Sequence, residues 1–273
     1  MKRISSWLIA GLFAATTLPF TTPLHAAVQT RVLDYKAADG TTLRGYYAWD
    51  DAISEKRPGV VVVHEWWGLN DYAQRRAREL AALGYPALAI DMYGDGQTAE
   101  NPNDAGHLMH SVVDNTDAQF ARSLAGLQLL KDQPEVDATR VAAIGYCFGG
   151  KMVLDMARRN MDLAGVVSFH GALATATPAE RGNIKAKVLV LNGEADGFIP
   201  QADIDALKTE MKAAGADFSF VNYPGAKHAF TSPDADKLAK EHGMDIAYDP
   251  TADSDSWDRM QAFFNKIFST KQN

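Results

Sequence analysis

The chain has 273 residues, 47% of them hydrophobic, and a formal net charge of −7 at pH 7. This length is enough for one large α/β domain with a complete hydrophobic core. An acidic balance without long runs of one charge argues against nucleic acid or an anionic membrane surface as a partner, and we expect a monomer that binds a small molecule.

The first 26 residues have the layout of a secretory signal peptide. Lys2 and Arg3 give a positive start, residues 7–20 are apolar apart from threonines, and small residues follow at Ala26 and Ala27. Such a run is too short for a stable membrane span, although an uncleaved N-terminal anchor is the alternative. We therefore expect a periplasmic or secreted protein without stable membrane insertion after processing, with residues 27–273 as a single domain.

From residue 27 onward, strand-like apolar runs alternate with segments of helical periodicity. In chain order the predicted elements are strands 30–35, 42–49 and 60–63, helix 71–83, strand 85–91, helix 117–131, strand 139–146, helix 148–159, strands 163–171 and 186–196, helix 201–214, strand 217–225 and helix 254–269. The first two strands flank Asp39-Gly40 and alternate in polarity, as an antiparallel pair does. The later alternation predicts an α/β fold whose mostly parallel central sheet carries helices on both faces.

Residues 93–116 interrupt this rhythm with a long connection that contains glycine, asparagine and proline. Long connections in compact domains commonly form lids or pocket walls. We expect such a wall here, with a short helix at 107–113.

The only cysteine of the chain, Cys147, lies between the predicted strand 139–146 and helix 148–159. Gly145 and Gly149 flank it in the G-x-C-x-G form of a nucleophile elbow. The glycines allow a turn so sharp that the central side chain stands above the carboxyl edge of the sheet, where ligands bind in such folds. Burial of Cys147 as a small hydrophobic residue is the alternative.

Asp196 and His228 follow later strands in glycine-containing turns, within LNGEAD and YPGAKHAF. Nucleophile, acid and histidine in this chain order are typical of α/β-hydrolases. Since parallel strands end at one edge, we expect the three side chains to converge, with His228 as the base and Asp196 as its orienting partner. Glu65 ends an apolar strand, an unfavourable place for an unpartnered charge, and a salt bridge with Arg75 or Arg76 is its alternative interpretation.

The motifs GYCFGG, HEWWGLN, LNGEAD and YPGAKHAF resemble those of the dienelactone hydrolases, and the likeness runs over residues 32–268. The resemblance implies an α/β-hydrolase fold and cleavage of carboxylic ester or lactone bonds through an acyl-thioester on Cys147. It implies that Glu65 contacts the thiol and helps to ionise it. It also implies an oxyanion hole formed by the backbone N–H groups of Trp66 and Phe148.

The resemblance is incomplete where the family holds the free carboxylate of its substrate. Its members use arginines in the loop after the second parallel strand and shortly after the histidine. Here these regions read DMYGDG and HAFTSPDAD, with no arginine and several acids that would repel an anion. Dienelactone itself is therefore not the expected substrate, and Lys151 and Lys227 are the cations left near the site.

Several further side chains are expected at the same edge and are predicted to line an apolar substrate pocket. They are Trp67, Tyr93, Tyr146, His170 and Phe198. His107 and His110 are spaced compatibly with metal binding, but no third ligand lies near them, so no metal is expected. No phosphate loop or dinucleotide fingerprint occurs, so no cofactor is expected.

Two functions from other classes stay open beside an ester hydrolase. A thiol-based redox or sensing protein would use Cys147 without needing the other two strand-end residues. A non-catalytic ligand-binding protein on the same fold would need none of the three. The presence of all three favours the hydrolase.

Overall fold

The computed structural model describes residues 28–269, so the predicted signal peptide at 1–26 lies outside the described residues. Its strands are β1 Val28–Lys36, β2 Thr42–Asp50, β3 Arg57–Val63, β4 Ala87–Ile90, β5 Val136–Tyr146, β6 Gly165–Phe169, β7 Lys187–Gly193 and β8 Phe218–Tyr223. Its helices are α1 Asp71–Ala82, α2 Pro102–Val113, α3 Thr116–Lys131, α4 Phe148–Arg158, α5 Gln201–Ala214, α6 Ala235–His242 and α7 Pro250–Ser269. Within 28–269, no helix combines the length and hydropathy needed to cross a membrane.

The strands of the described residues form one sheet in the order β1-β2-β4-β3-β5-β6-β7-β8. β1 and β2 pair antiparallel from Val28 opposite Asp50 to Lys36 opposite Thr42. β2 joins β4 antiparallel, and every neighbouring pair from β4 to β8 is parallel. The predicted α/β fold with an N-terminal antiparallel strand pair is confirmed.

The central strand β3 is buried on both faces of the sheet. Val61 and Val63 pack into the hydrophobic core on one face, and Val60 and Val62 pack into the core on the other. Because successive side chains of a strand point to opposite faces, a doubly covered strand needs an apolar residue at every position. The first core is covered by α3, α4 and α5, and the second by α1 and α7.

Helix α7 begins at Pro250, four residues before the predicted start at 254. Two further helices differ more from the sequence-based expectation. α2 begins at Pro102 instead of residue 107, because Asn101 caps it by accepting the backbone N–H of Asp104 and proline suits its first turn. α6 was not predicted; it ends at Gly243, in the left-handed conformation, and packs in a small cluster around Ala235. Both helices border the site described next.

Candidate active site

Cys147 occupies the sharp turn between β5 and α4. Its φ of 53° lies in the left-handed region, which a non-glycine residue adopts only when its surroundings impose it. The flanking glycines leave the room for this turn: a Cβ on Gly145 would overlap the carbonyl oxygen of Gly149, and a Cβ on Gly149 would overlap that of Val63. The turn has the form of a nucleophile elbow, and it leaves the Cys147 side chain partly exposed in a cavity at the sheet edge.

His228 and Asp196 meet at this same edge. Nδ1 of His228 lies 2.8 Å from Oδ2 of Asp196. The other oxygen of the buried carboxylate accepts the backbone N–H of Phe198 at 2.9 Å, which fixes the acid. Cys147 lines the same cavity as His228, and its sulfur acts on the imidazole electrostatically. Thiol, imidazole and carboxylate are thus brought together, although they follow three different strands.

The charged groups around His228 favour its protonated form. Burial lowers the pKa of His228, but the neighbouring Cys147 sulfur and the Asp196 carboxylate outweigh that effect and raise it to about 10. Negative neighbours stabilise the imidazolium form. This is the form that gives a proton to a leaving group.

Glu65 borders the same cavity and carries a carboxyl group that titrates near neutrality. Burial raises its pKa to about 7, against the opposing influence of His228 and Arg76. The alternative of a salt bridge is not seen, since Arg75 and Arg76 pair with other acids on α1 and α7. Glu65 is therefore a buried acid without an ion-pair partner among residues 28–269, in the lining of the cavity that also holds the thiol.

The loop after β3 presents a backbone N–H group near the elbow. Within the described part of the chain, the N–H groups of Trp66 and Phe148 donate to no protein acceptor. Phe148 is the first residue of α4, where the helix itself supplies no acceptor. The two free donors suit a developing oxyanion.

Two buried side chains hold that loop in place. Nδ1 of His64 lies 2.5 Å from the carbonyl oxygen of Glu65, while its Nε2 accepts the N–H of Met92 at 3.3 Å. The Tyr93 hydroxyl donates to the carbonyl oxygen of Trp66 at 2.9 Å. His64 was not among the predicted site residues; the signal for it is a histidine directly before an acid at the end of an apolar strand.

A further residue missed from the sequence, Asp91, orders the loop after β4. It is fully buried, and its carboxylate accepts backbone N–H groups of Arg44, Tyr93, Gly94 and Gly96 at 2.8–3.1 Å. A carboxylate that accepts four N–H groups has its charge satisfied without a cation. The aspartate in DMYGDG therefore supports the wall of the site through Tyr93.

A cavity of about 530 Å³ opens above the sulfur, within the roughly 300–1,000 Å³ typical of small-molecule sites. Trp67 and Phe198, two of the predicted pocket residues, line it beside Cys147, Glu65 and His228. The rest of the wall is mostly apolar and comes from α2 and from the segment that carries α6. It includes Pro102, Met109, Val113, Ala235, Leu238, Met244 and Ile246.

Tyr93 and Tyr146 lie outside the lining of this cavity. Tyr93 is buried beneath the loop that it holds. Tyr146 is fully buried in the core on the other face of the sheet, with its ring stacked on that of Phe169 at 4.7 Å. The prediction that these two side chains line the pocket is therefore corrected.

His170 also lies outside the lining, behind His228. It is fully buried, Nε2 lies 2.8 Å from Oγ1 of Thr231, and its ring meets the His228 ring at 5.2 Å in an edge-to-face contact. Burial and the charge of His228 hold the pKa of His170 well below its usual range, so the ring is neutral. The prediction that it lines the pocket is corrected to a contact with His228.

The remaining candidates divide between surface and site. Lys227 pairs with Asp245 at 2.5 Å on the surface, whereas Lys151 lines the cavity and pairs with Asp155 at 2.7 Å. His107 and His110 lie on α2, where exposed His110 contacts an acid of its own helix. No cluster of three or more metal-binding side chains occurs in residues 28–269.

Comparison with known proteins yields relatives that cover most of the chain. The model of the dienelactone hydrolase family matches residues 43–268. Protein usf of Aquifex pyrophilus is 31% identical over 243 residues, which are 85% of this chain and 96% of that protein. Among solved structures, m3DLH is 39% identical with a TM-score of 0.83, and it covers 88% of this chain and 99% of its own. The dienelactone hydrolase-like promiscuous phosphotriesterase P91 from metagenomic libraries is 37% identical with a TM-score of 0.82 and the same coverage, 88% and 99%.

The matched segment contains the sheet from the second residue of β2 onward and every candidate site residue described above. Its length, and the agreement of whole-chain folds at more than a third sequence identity, exclude a likeness confined to one motif. The chain belongs to the dienelactone hydrolase family.

Proposed function

We propose that this protein hydrolyses carboxylic esters or lactones, with Cys147 as the nucleophile. The observation that carries the proposal is that Cys147 and His228 line one cavity at the sheet edge while His228 is held by Asp196 at 2.8 Å. A thiol that attacks a carbonyl needs a base within reach, and that base needs a group to orient it. A binding protein or a thiol sensor would need no such set, and membership of a hydrolase family supports the same class of reaction.

In the proposed cycle the Cys147 thiolate attacks the carbonyl carbon, and the π electrons of the C=O bond move to its oxygen. The backbone N–H groups of Trp66 and Phe148 stabilise this oxyanion. Protonated His228 gives its proton to the departing alcohol oxygen as the C–O bond breaks, which leaves a thioester on Cys147. Neutral His228 then takes a proton from water, the hydroxide adds to the thioester carbon, and collapse releases the acid and the Cys147 thiolate, which takes back from Glu65 the proton that it gave up when substrate arrived.

We assign Glu65 the role of receiving the proton of the thiol when substrate arrives. The assignment rests on its place in the cavity lining and on the burial that raises its pKa to about 7. A carboxyl group with a pKa near the working pH can both accept and return a proton. Asp196 differs from Glu65 in that its carboxylate is held in place by hydrogen bonds with Phe198 and His228.

The decisive experiment is a panel of esters and lactones assayed with the wild type and with Cys147→Ala, combined with intact-mass spectrometry. We expect turnover and a transient mass gain equal to the acyl group in the wild type, and neither in the variant. Circular dichroism of Cys147→Ala serves as the folding control. Turnover that survives in the alanine variant, or the absence of any adduct on the wild-type sulfur, would refute the proposal.

Hydrolysis of neutral phosphotriesters is a second candidate activity. A structure 37% identical to this chain is a promiscuous phosphotriesterase, and the cavity here is mostly apolar and has no arginine in its lining. A triester carries no charge that a cation must compensate, so it suits such a wall. Release of nitrophenol from paraoxon by the wild type but not by Cys147→Ala would support this activity, and equal release by both would contradict it.

We also propose that the protein is exported with removal of its first 26 residues. The support is the charged start, the apolar run and the small residues at the end of this segment. The test is to express the full chain in a bacterium and to measure the intact mass of the protein in the periplasmic fraction. Full-length protein confined to the cytoplasm would contradict the proposal.

A further inference from the structure

A second, more polar cavity adjoins the one above Cys147. Its volume is about 280 Å³, and it shares Val113, Lys151 and Ala174 with the lining of the larger cavity. Its remaining wall is rich in cations and hydrogen-bond donors. These include Gln119, Arg158, Arg159, Thr175 and Thr177, with Asp155 as the only carboxylate of the lining.

Helix α4 connects the two cavities. Cys147, Lys151, Asp155 and Arg159 are spaced four residues apart, so they follow one another along one face of the helix. Each step of four residues advances about 6 Å along a helix axis. The face therefore leads from the sulfur past Lys151, at the junction of the cavities, to the polar end at Arg159.

The charges around the polar cavity leave one positive charge in excess. Asp155 accepts hydrogen bonds from Lys151 at 2.7 Å, from Arg158 at 2.9 Å and from Gln119 at 2.9 Å. The other side of the buried Arg158 guanidinium is paired with Glu210 at 2.9 Å. Two carboxylates thus face three cations when Arg159 is included.

Of the three cations Lys151, Arg158 and Arg159, only Arg159 is not paired with a carboxylate of the described residues. It is exposed, and its guanidinium lies over the ring of Phe120 at 5.2 Å. It makes no ion pair with any residue in the described range 28–269. In a chain with a net charge of −7, this is a local positive site that opens toward the proposed nucleophile.

We propose that the polar cavity binds an anionic group, such as a carboxylate, at the far end of substrates whose reacting carbonyl lies at Cys147. Lys151 and Arg159 supply the charge, and the hydroxyls of Thr175 and Thr177 supply neutral donors. The substrate class is then an ester with an apolar middle and a charged end. This site lies on α4 and not on the loops at 91–96 and 228–236, whose acids would repel an anion.

The assignment of the occupant as part of a substrate rests on the proposed function, but binding can be tested without turnover. Because the chain has a single cysteine, intact mass reports the alkylation of Cys147 alone. The probes are 11-maleimidoundecanoate, which ends in a carboxylate, and N-undecylmaleimide, which is neutral and of similar length; their chains are long enough to span the roughly 18 Å along the helix from Cys147 to Arg159. The measured quantity is the ratio of the two second-order labelling rates, each corrected for the rate with a small free thiol.

We expect the wild type to prefer the anionic probe by about three- to five-fold, the size of one partly exposed charge interaction. The preference should shrink in high salt and should be lost in Arg159→Gln, an exposed position where the fold is not at risk, and in Lys151→Met. Arg181→Gln removes an exposed arginine outside both cavities and should retain it. A wild-type ratio near one, or a ratio that Arg159→Gln leaves intact, would overturn the proposal.

The same variants separate this inference from the proposed function. If the wild type labels preferentially with the anionic probe but hydrolyses no ester, the anion site stands and the esterase proposal falls. If it hydrolyses esters, and p-nitrophenyl dodecanoate and mono-p-nitrophenyl dodecanedioate show the same ratio of kcat/KM in the wild type and in Arg159→Gln, the esterase proposal stands and the anion site falls.

Discussion

The hydroxyl of Tyr93 donates a 2.9 Å hydrogen bond to the carbonyl oxygen of Trp66, so a residue after β4 fixes the loop after β3. The two residues are 27 positions apart in the sequence. Trp66 also carries one of the two N–H groups proposed for the oxyanion hole. The precision of that hole therefore depends on a side chain that does not line the cavity.

Tyr93→Phe should test this dependence. The variant keeps the ring contacts with His64 and Phe148 but loses the bond to Trp66. We expect kcat to fall about five-fold with little change in KM, as for the loss of a hydrogen bond worth about 1 kcal/mol in the transition state. Steady-state kinetics with a chromogenic ester measure the effect.

The matched control is Tyr47→Phe, which loses a 2.9 Å hydrogen bond to Glu135 away from the cavity. Its kcat should stay at the wild-type value. An equal loss in the two variants would show that general destabilisation, and not the Trp66 loop, lowers the rate.

Asp196→Asn should impair His228 without removing the thiol. The amide lacks the negative charge that helps to raise the pKa of His228, and it no longer orients the ring through Nδ1. We expect kcat/KM to fall by up to about 10⁴-fold, the loss in kcat seen for the corresponding change in a serine-protease triad. The alkaline limb of the pH–rate profile should also move to lower pH, since His228 then loses its proton more easily. Retention of more than a tenth of the activity would contradict the role of Asp196.

Glu65→Gln should make stability less dependent on pH. Burial raises the pKa of Glu65 from 4.5 in the unfolded chain to about 7 in the folded protein, so the folded state binds this proton more tightly. The stability of the wild type therefore falls as pH rises from about 4.5 to about 7. The variant lacks this fall, because glutamine has no proton to lose in this interval. We expect the variant to exceed the wild type by about 3 kcal/mol at pH 8 and to equal it at pH 4.

Urea unfolding at pH 4, 6 and 8 measures this difference. A difference that stays constant across the three pH values would contradict the burial of an ionisable Glu65. Activity should fall in the same variant, because a glutamine cannot accept the proton of Cys147.

Two glycine substitutions should have opposite effects on stability. A Cβ on Gly149 would overlap the backbone of Val63 and His64, so Gly149→Ala should cost about 3 kcal/mol or more. Gly106 lies inside α2 with nothing near its Cβ position, so Gly106→Ala should stabilise the protein by about 0.5–1 kcal/mol. Thermal unfolding of the pair checks both signs, and a tolerated alanine at Gly149 would contradict the tight elbow.

The elements of the sheet were predictable because burial on both faces leaves a strong pattern. The β-branched run at 60–63 suits a doubly covered strand and lies in β3, and the helix expected at 201–214 is found at Gln201–Ala214. The turn at Cys147 was equally visible, since its flanking glycines are required by the closeness of β3 and α4. These features depend on local sequence and on one neighbouring element.

The cavity wall was not predictable to the same degree. α6 has only eight residues, so its apolar positions Ala235, Leu238 and Ala239 repeat over too short a stretch to identify a helix. It is held by the cluster with Ala229 and Ile246, which forms only after the chain has folded back. For α2 a signal was present but unused: Asn101 followed by Pro102 is a helix start.

The direction of side chains at the sheet edge was the second feature that the sequence did not predict. Tyr146 directly precedes Cys147, yet it points into the core on the opposite face because neighbouring residues of a strand alternate. His170 has a φ of 38°, a conformation that sequence patterns do not reveal, and it turns the ring toward His228 instead of the cavity. Position at a strand end therefore identifies an edge of the sheet but not a contact.

The segment after His228 leaves the sheet edge and returns to the place from which it started. The N–H of Ala247 bonds the carbonyl oxygen of His228 at 3.2 Å, and the N–H of Asp249 bonds that of Phe230 at 3.0 Å. Both ends are thus clamped beside the imidazole, while the side chains between them form one wall of the cavity. Substitutions within residues 232–246 should therefore change what the cleft admits while thiol, imidazole and carboxylate keep their places, whereas Thr231, which bonds His170 behind the imidazole, belongs to the fixed part.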